Sequence, residues 1–472
     1  MVTRVMDRIF ATAETIAHPV LVPAILVPAI AIVVFMTALA SSLAAANDVA
    51  ADTAANAEMA KEKGWPLAWF EPPKTASELG ITHFKQSPML DGLGLPPVAD
   101  RLPDDPIVLE PYGEIGRHGG KAIITLGDSW QFFNWEPSLT FAADMRTLLP
   151  NLAEHWTVSE DGRTTTITLR RGLKWSDGVP LTSDDFMFTF NHIWMDNDMS
   201  PVTSRLISGG RIERVDDLTF RYVFTDPNPL FVNFLAQRHD FADPAHYFRH
   251  IHPAFTDRVI VDKRVEDLGF ITWMAMVSAL RGGTIEESAQ VPTLRAFKIV
   301  GRSPITVRFE RNPYYPKVDR LGQQLPYIDT IDAEAILDNA EVVTAKAVTG
   351  QLDFAAFTLR TQDIPLLKLG ERTGLIKVHI WERLHTSDVV IQFNFNHPDQ
   401  KLRDLYWDDR FRKALSHAIY RDEMNDIIYF SRGTPSQVSV HPSSAWYEEE
   451  LARAHMRYDP AYANQLLDEM GL

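Results

Sequence analysis

"NLAEHWTVSEDGRTTTITLRRGLKWSDGVPLTSDDFMFTF", Asn151 to Phe190, is the stretch on which the reading of the fold turns. Asp161-Gly162 sits between two runs of alternating polarity, and Thr165, Ile167 and Leu169 fall on one face, so a β-hairpin is predicted. A second turn, Asp177-Gly178, leads through Pro180 to a helix start. Thr182 and Asp185 have the spacing of a capping box, and Phe186, Phe190, Ile193 and Trp194 then recur as one apolar helix face. Trp175 with the paired carboxylates Asp184 and Asp185 also has the look of a catalytic cluster. Capping accounts for the carboxylates without any chemistry, because Asp184 suits the positive end of the helix dipole and Asp185 its free amides. The stretch is scaffold on this reading.

Working outward, 472 residues are too many for one core, and at roughly 100–200 residues per domain they suggest two to four. A chain 45% apolar and 23% charged has the composition of a soluble globular protein. The formal net charge of −16 argues against nucleic acid or an anionic membrane surface as partner, since both need clustered Lys and Arg. Eleven tryptophans exceed what such a core requires and suit a cleft that grips a ligand. With no cysteine there are no disulfides, and stability must come from burial.

The N-terminus points to export. Arg4 and Arg8 precede a charge-free run from Thr15 to Ala46 ending in "SSLAAAN", the order of a secretory signal with Ala44 and Ala46 at the cleavage positions. The run also has the length of a bilayer span, about 20 residues, so an uncleaved anchor stays open, although Pro19, Pro23 and Pro28 disfavour one straight helix. Residues 47 to about 64 are Ala-rich and read as a flexible leader, and the proline-punctuated text from Trp65 to Gly120 as an extended arm. "GGKAIITLGD" reads as a first buried strand, and "LDFAAF" after Gly350 as another. Helices are expected behind Asp408-Asp409, around Met424, Ile427 and Ile428 with Gly433 and Pro435 at its end, around Val342, Val343 and Val348 with a stop at Gly350, and from Asp459-Pro460 to Gly471. Alternating strands and helices imply α/β lobes.

The stretch from Asn151 to Phe190 resembles the signature region of family 5 bacterial solute-binding proteins. "ADPAHYFRHIHP" (Ala242–Pro253), "VPTLRAFKIV" (Val291–Val300), "RNPYYPKVDRLGQQLPYID" (Arg311–Asp329), "AVTGQLDFA" (Ala347–Ala355), "FNFNHPDQKLRDLYWDDRFRKALSHAIYRDEMN" (Phe393–Asn425) and "YDPAYANQLLDEMGL" (Tyr458–Leu472) carry the same resemblance. It implies an α/β, two-lobed periplasmic binding protein of class II type, with an extra subdomain in the first lobe. The expected divisions are a signal peptide at 1–46, an N-terminal arm at 47–118, a first lobe at 119–345 and a second lobe at 346–472. Family members continue past "LLDEMGL", so the second lobe is expected to be incomplete, a fragment of a longer reading frame being preferred over a degenerate receptor. The implied function is capture of an oligopeptide or oligosaccharide by hinge closure and delivery to ABC importer permease subunits, by a monomer, in the periplasm, without catalysis or cofactor.

Two segments are candidate ligand contacts. "GDSWQFFNWEP" (Gly127–Pro137) follows the first buried strand, and in the family the matching loop faces the cleft. There Trp130, Phe133 and Trp135 offer rings, and Ser129, Gln131 and Asn134 offer hydrogen bonds. In "QFNFN", Gln392, Asn394 and Asn396 alternate onto one face at the end of a second-lobe strand. Both segments also suit ordinary packing. His246, His250 and His252 have partial metal-ligand spacing but no fixed third or fourth ligand, and no metal is expected. "GEIGRHGGKA" lacks the Gly-Lys-Ser/Thr of a phosphate loop, and neither Gly-x-Ser-x-Gly nor His-Glu-x-x-His occurs. An exported hydrolase and a receptor fragment without transport activity remain the alternatives.

Overall fold

In a computed structural model the described residues are 49–196, 198–200, 206–238, 240–336, 339–356, 358–380, 389–442, 444 and 446–472. The expected export signal lies outside them. Compact units divide the chain after Leu359, one ending there and the other holding Arg360–Leu472.

The quoted stretch folds as its spacing predicts. β5 (Ala153–Val158) and β6 (Thr164–Leu169) pair antiparallel, Ile167 opposite Trp156, and Thr165, Ile167 and Leu169 are buried. β7 (Gly210–Arg214) and β8 (Thr219–Phe224) complete an antiparallel sheet in the order β5-β6-β8-β7. The second turn needs its glycine: Gly178 has φ +90°, and a Cβ there would come within 2.8 Å of the Tyr314 hydroxyl. The helix Ser183–Thr189 follows, with the capping box in place. Thr182 N–H donates to the Asp185 carboxylate at 3.0 Å, whose other oxygen accepts Ala245 N–H at 2.9 Å. Phe186, Phe190, Ile193 and Trp194 enter a core shared with Phe220, Tyr222, Phe231, Phe248 and Trp273.

A second four-stranded sheet, this one mixed, lies in the same unit. β2 (Lys121–Thr125) is the predicted buried strand; it runs parallel to β12 (Thr330–Glu334), which pairs antiparallel with β10 (Thr306–Arg311), and β10 with β9 (Phe297–Arg302). Ile124, Val307, Phe309 and Ile331 form its core. The arm is extended, as its prolines require. Its β1 (Ile107–Leu109) adds in parallel to β11 (Lys317–Asp319), and Arg101, wholly buried, donates to the carbonyls of Pro96 (3.0 Å) and Pro313 and to Gln86. One expectation fails before the arm. Val49–Lys63 is a helix rather than a flexible leader, because a run this rich in alanine has high helix propensity.

The described part of Arg360–Leu472 holds helices and no strand. Asp408 caps Asp409–Ala418 by accepting Arg410 N–H, and Asp459 caps Pro460–Asp468 by accepting Tyr462 N–H. These two helices pack Phe411 and Ala414 against Ala463, Leu466 and Leu467. The helix Arg421–Tyr429 ends at Phe430 in the left-handed region (φ 52°), ahead of the expected stop at Gly433, and leaves Ile427 exposed. The described residues of "LDFAAF", 352–356, make a single bridge, Phe354 to Ile124, in place of a full strand.

Candidate ligand site

The first candidate segment is a helix where a loop was expected. Leu126–Phe132 winds directly off β2 because Thr125-Leu126-Gly127-Asp128 is itself a capping sequence. Thr125 Oγ1 accepts Asp128 N–H at 3.2 Å and donates to the Asp128 carboxylate at 2.7 Å. Within this frame Ser129 is buried and donates to the Leu126 carbonyl at 2.7 Å. The side chains of Trp130 and Gln131 lie outside the described ones. Phe133 is half-buried, edge-on to Phe354 at 5.4 Å. Asn134 is buried, and its side-chain carbonyl accepts Phe297 N–H at 3.2 Å, tying the segment to β9. Trp135 is 42% exposed, the described ring of this segment most open to solvent.

Next to Trp135 in the chain is a residue that the sequence reading passed over. Glu136 is buried, and its carboxylate accepts from Lys317 Nζ (2.7 Å), Asn151 Nδ2 (2.7 Å) and Tyr315 Oη (2.8 Å). Burial and the adjacent Glu136 charge push the Tyr315 hydroxyl well above the usual tyrosine range, so Tyr315 stays a donor. A buried carboxylate with a cation and two neutral donors is satisfied, and it fixes the backbone from which the Trp135 ring projects. A glutamate flanked by tryptophan and proline carries no local signal of this role; its partners lie 15 to 181 residues away.

The second segment departs from expectation in its backbone and keeps its alternation. Gln392, Asn394 and Asn396 are all exposed, while Phe393 and Phe395 turn inward onto Tyr406 and Trp407. No strand forms there, because no neighbouring described strand supplies ladder partners. Asn394 Oδ1 instead accepts Asn396 N–H at 3.0 Å, a local turn, and Trp407 Nε1 donates to the Phe395 carbonyl. The two segments belong to different units and each stands by itself.

His246 and His252 have separate occupations, and His250 is exposed. His246 bonds Asp177 at 2.8 Å, and His252 is buried among rings with its nitrogens on the His192 carbonyl and Ala254 N–H. Among the described residues no group of three or more His, Cys, Asp or Glu is placed to hold a metal ion. No described helix is long and apolar enough to cross a membrane. What the first segment offers chemically is a supported ring face beside a helix end, suited to apolar and stacking contact.

Residues 147–472 match the model of the bacterial extracellular solute-binding proteins, family 5 Middle. The chain belongs to this family. A family 5 relative named as the periplasmic alpha-galactoside-binding protein of Rhizobium meliloti (strain 1021) is 25% identical over 80% of this chain and 57% of its own length. The dipeptide-binding protein of Escherichia coli (strain K12) is 25% identical over 69% of this chain and 55% of its own. The chain thus spans little more than half the length of these curated relatives. Among solved structures, an oligopeptide-binding protein OppA is 33% identical with a TM-score of 0.66, covering 84% of this chain and 65% of that one. The binding protein MelB of Agrobacterium fabrum C58, solved with stachyose, shares the fold with a TM-score of 0.62 at 21% identity, covering 83% of this chain and 62% of that one. The mixed α/β architecture expected from the sequence is therefore that of periplasmic binding proteins.

Proposed function

We propose that this chain is the substrate-binding component of an ABC importer, exported to the periplasm, where it captures an oligopeptide or oligosaccharide and delivers it unaltered to the permease. The observation that carries this reading is the family match over residues 147–472, in a family whose relatives here are named for galactoside, dipeptide and oligopeptide binding. Trp135 is the leading contact, an exposed ring on a buried, ion-paired base, with Phe133 beside it. Ser129 and Asn134 serve as supports, since their polar atoms are committed to Leu126 and Phe297. Trp130 and Gln131 share the helix, and Gln392, Asn394 and Asn396 supply exposed amides in the second unit. Export leaves a soluble monomer, cleaved after Ala46.

Calorimetric titration with stachyose and with trialanine tests the reading, followed by chromatography of the ligand after prolonged incubation. Saturable heat with one probe and an unchanged ligand are expected, and Trp135→Ala should weaken binding by about 1–3 kcal/mol. Release of monosaccharide or free alanine would sink the transport reading in favour of an exported hydrolase.

A further inference from the structure

Toward Leu359, where the first unit ends, the chain is held by the residues that start the candidate ligand helix. Asp353 N–H donates to the Ile123 carbonyl at 2.8 Å, and Ile123 N–H returns a bond to the Asp353 carboxylate at 2.7 Å. Phe354 bridges to Ile124 and sets its ring against Phe133. One step further, Ala356 N–H is shared by the two carboxylate oxygens of Asp128, at 3.2 and 3.3 Å. Asp128 has 0% exposure, unusual for a capping acid, whose place is commonly at the wet end of a helix. Its one carboxylate closes the helix cap with Thr125 and receives the departing chain, so neither can shift without disturbing the other.

We propose that Asp128 is a positioning residue that couples the helix Leu126–Phe132 to the path by which the chain leaves the first unit. A ligand pressing on the helix or on Trp135 moves the oxygens that hold Ala356, and the cost of stranding that half-buried amide transmits the movement to the chain beyond it. The coupling to ligand rests on the reading of this helix as a contact surface; the clamp itself does not.

Amide hydrogen exchange on the full chain tests both. Asp128→Ala should speed exchange at Ala356 on the order of tenfold, with Asp128→Asn in between because its side-chain oxygen still accepts, and Ile123 unchanged because Asp353 holds it. Thr125→Val keeps the Asp128 carboxylate but removes the cap, and should also speed exchange at Ala356. Whichever of stachyose or trialanine binds should change Ala356 protection in the native chain and not in Asp128→Asn. Equal Ala356 exchange in native and Thr125→Val protein overturns the coupling, as does an identical ligand response in native and Asp128→Asn protein. If neither probe binds while Thr125→Val still loosens Ala356, the clamp stands and the ligand reading falls.

Discussion

His252 shows how a single buried group ties stability to pH. It is 1% exposed and ringed by Phe188, His192, Phe255 and Trp273, the last at 4.6 Å. Burial lowers its pKa below the ordinary 6.5, the bond to the His192 carbonyl opposing, and burial likewise lowers His192 despite Asp196. A depressed histidine favours folding above its unfolded value, and that stability is lost as pH falls through the window below it. The loss is about 1.4 kcal/mol per pH unit between the two pKa values for each such group. Urea midpoints should therefore drop between neutral pH and pH near 5 more steeply in the native chain than in His252→Asn, whose amide can still meet Ala254. Parallel curves would refute the assignment. Asp185 gives a second case at this scale. It accepts two amides, from Thr182 and from Ala245, so Asp185→Ala should cost about 2–4 kcal/mol in denaturant unfolding, more than Thr182→Ala. Its capping role was legible because the spacing is local, whereas its grip on Ala245 was not. The surroundings of His252 were equally hidden, since its ring neighbours come from separate segments.

Helix starts were the most readable elements, because an N-cap is written within three residues of the turn it closes. Asp408, Asp459 and the Thr182–Asp185 pair all cap where the sequence placed them. Asp459→Ala should lower stability by about 0.5–2 kcal/mol and loosen the contact of Leu466 and Leu467 with Phe411. Circular dichroism with urea would register it, and an unchanged midpoint would show that Pro460 alone sets the start. The same grammar was overlooked at Thr125, where expectation of a cleft-facing loop hid a Thr-x-x-Asp cap. At Gln392–Asn396 the alternation was read correctly and the strand was not, because alternation fixes which side chains turn inward while a strand also needs a partner edge. The candidate site was thus legible as a segment and a set of rings, with Glu136 and Asp128 supplied only by long-range contacts.

Across the whole molecule burial is uneven. The first unit encloses a large aromatic core from Leu139 to Leu294, while the buried apolar side chains described in Arg360–Leu472 are Leu367, Ala452 and the small cluster of Phe411, Ala414, Ala463, Leu466 and Leu467. Val390, Ile391, Val438 and Trp446 of that unit stay exposed. Hydrophobic stabilisation follows buried apolar area, so amides of Arg360–Leu472 should lose protection at lower urea than those of β6 and β8. A single coincident transition would contradict this. The arm carries one more implication, for the order in which the protein comes together. Glu110 meets Arg320 across 210 residues, and β1 has its parallel partner only once β11 exists. In a chain that emerges N-terminus first, the arm is made early and seated late, leaving Leu102 and Val108 without Val318, which completes their core, through the intervening synthesis. Pairings between distant segments are slow to form, so the arm's apolar residues are the natural handle for a holding chaperone during that interval.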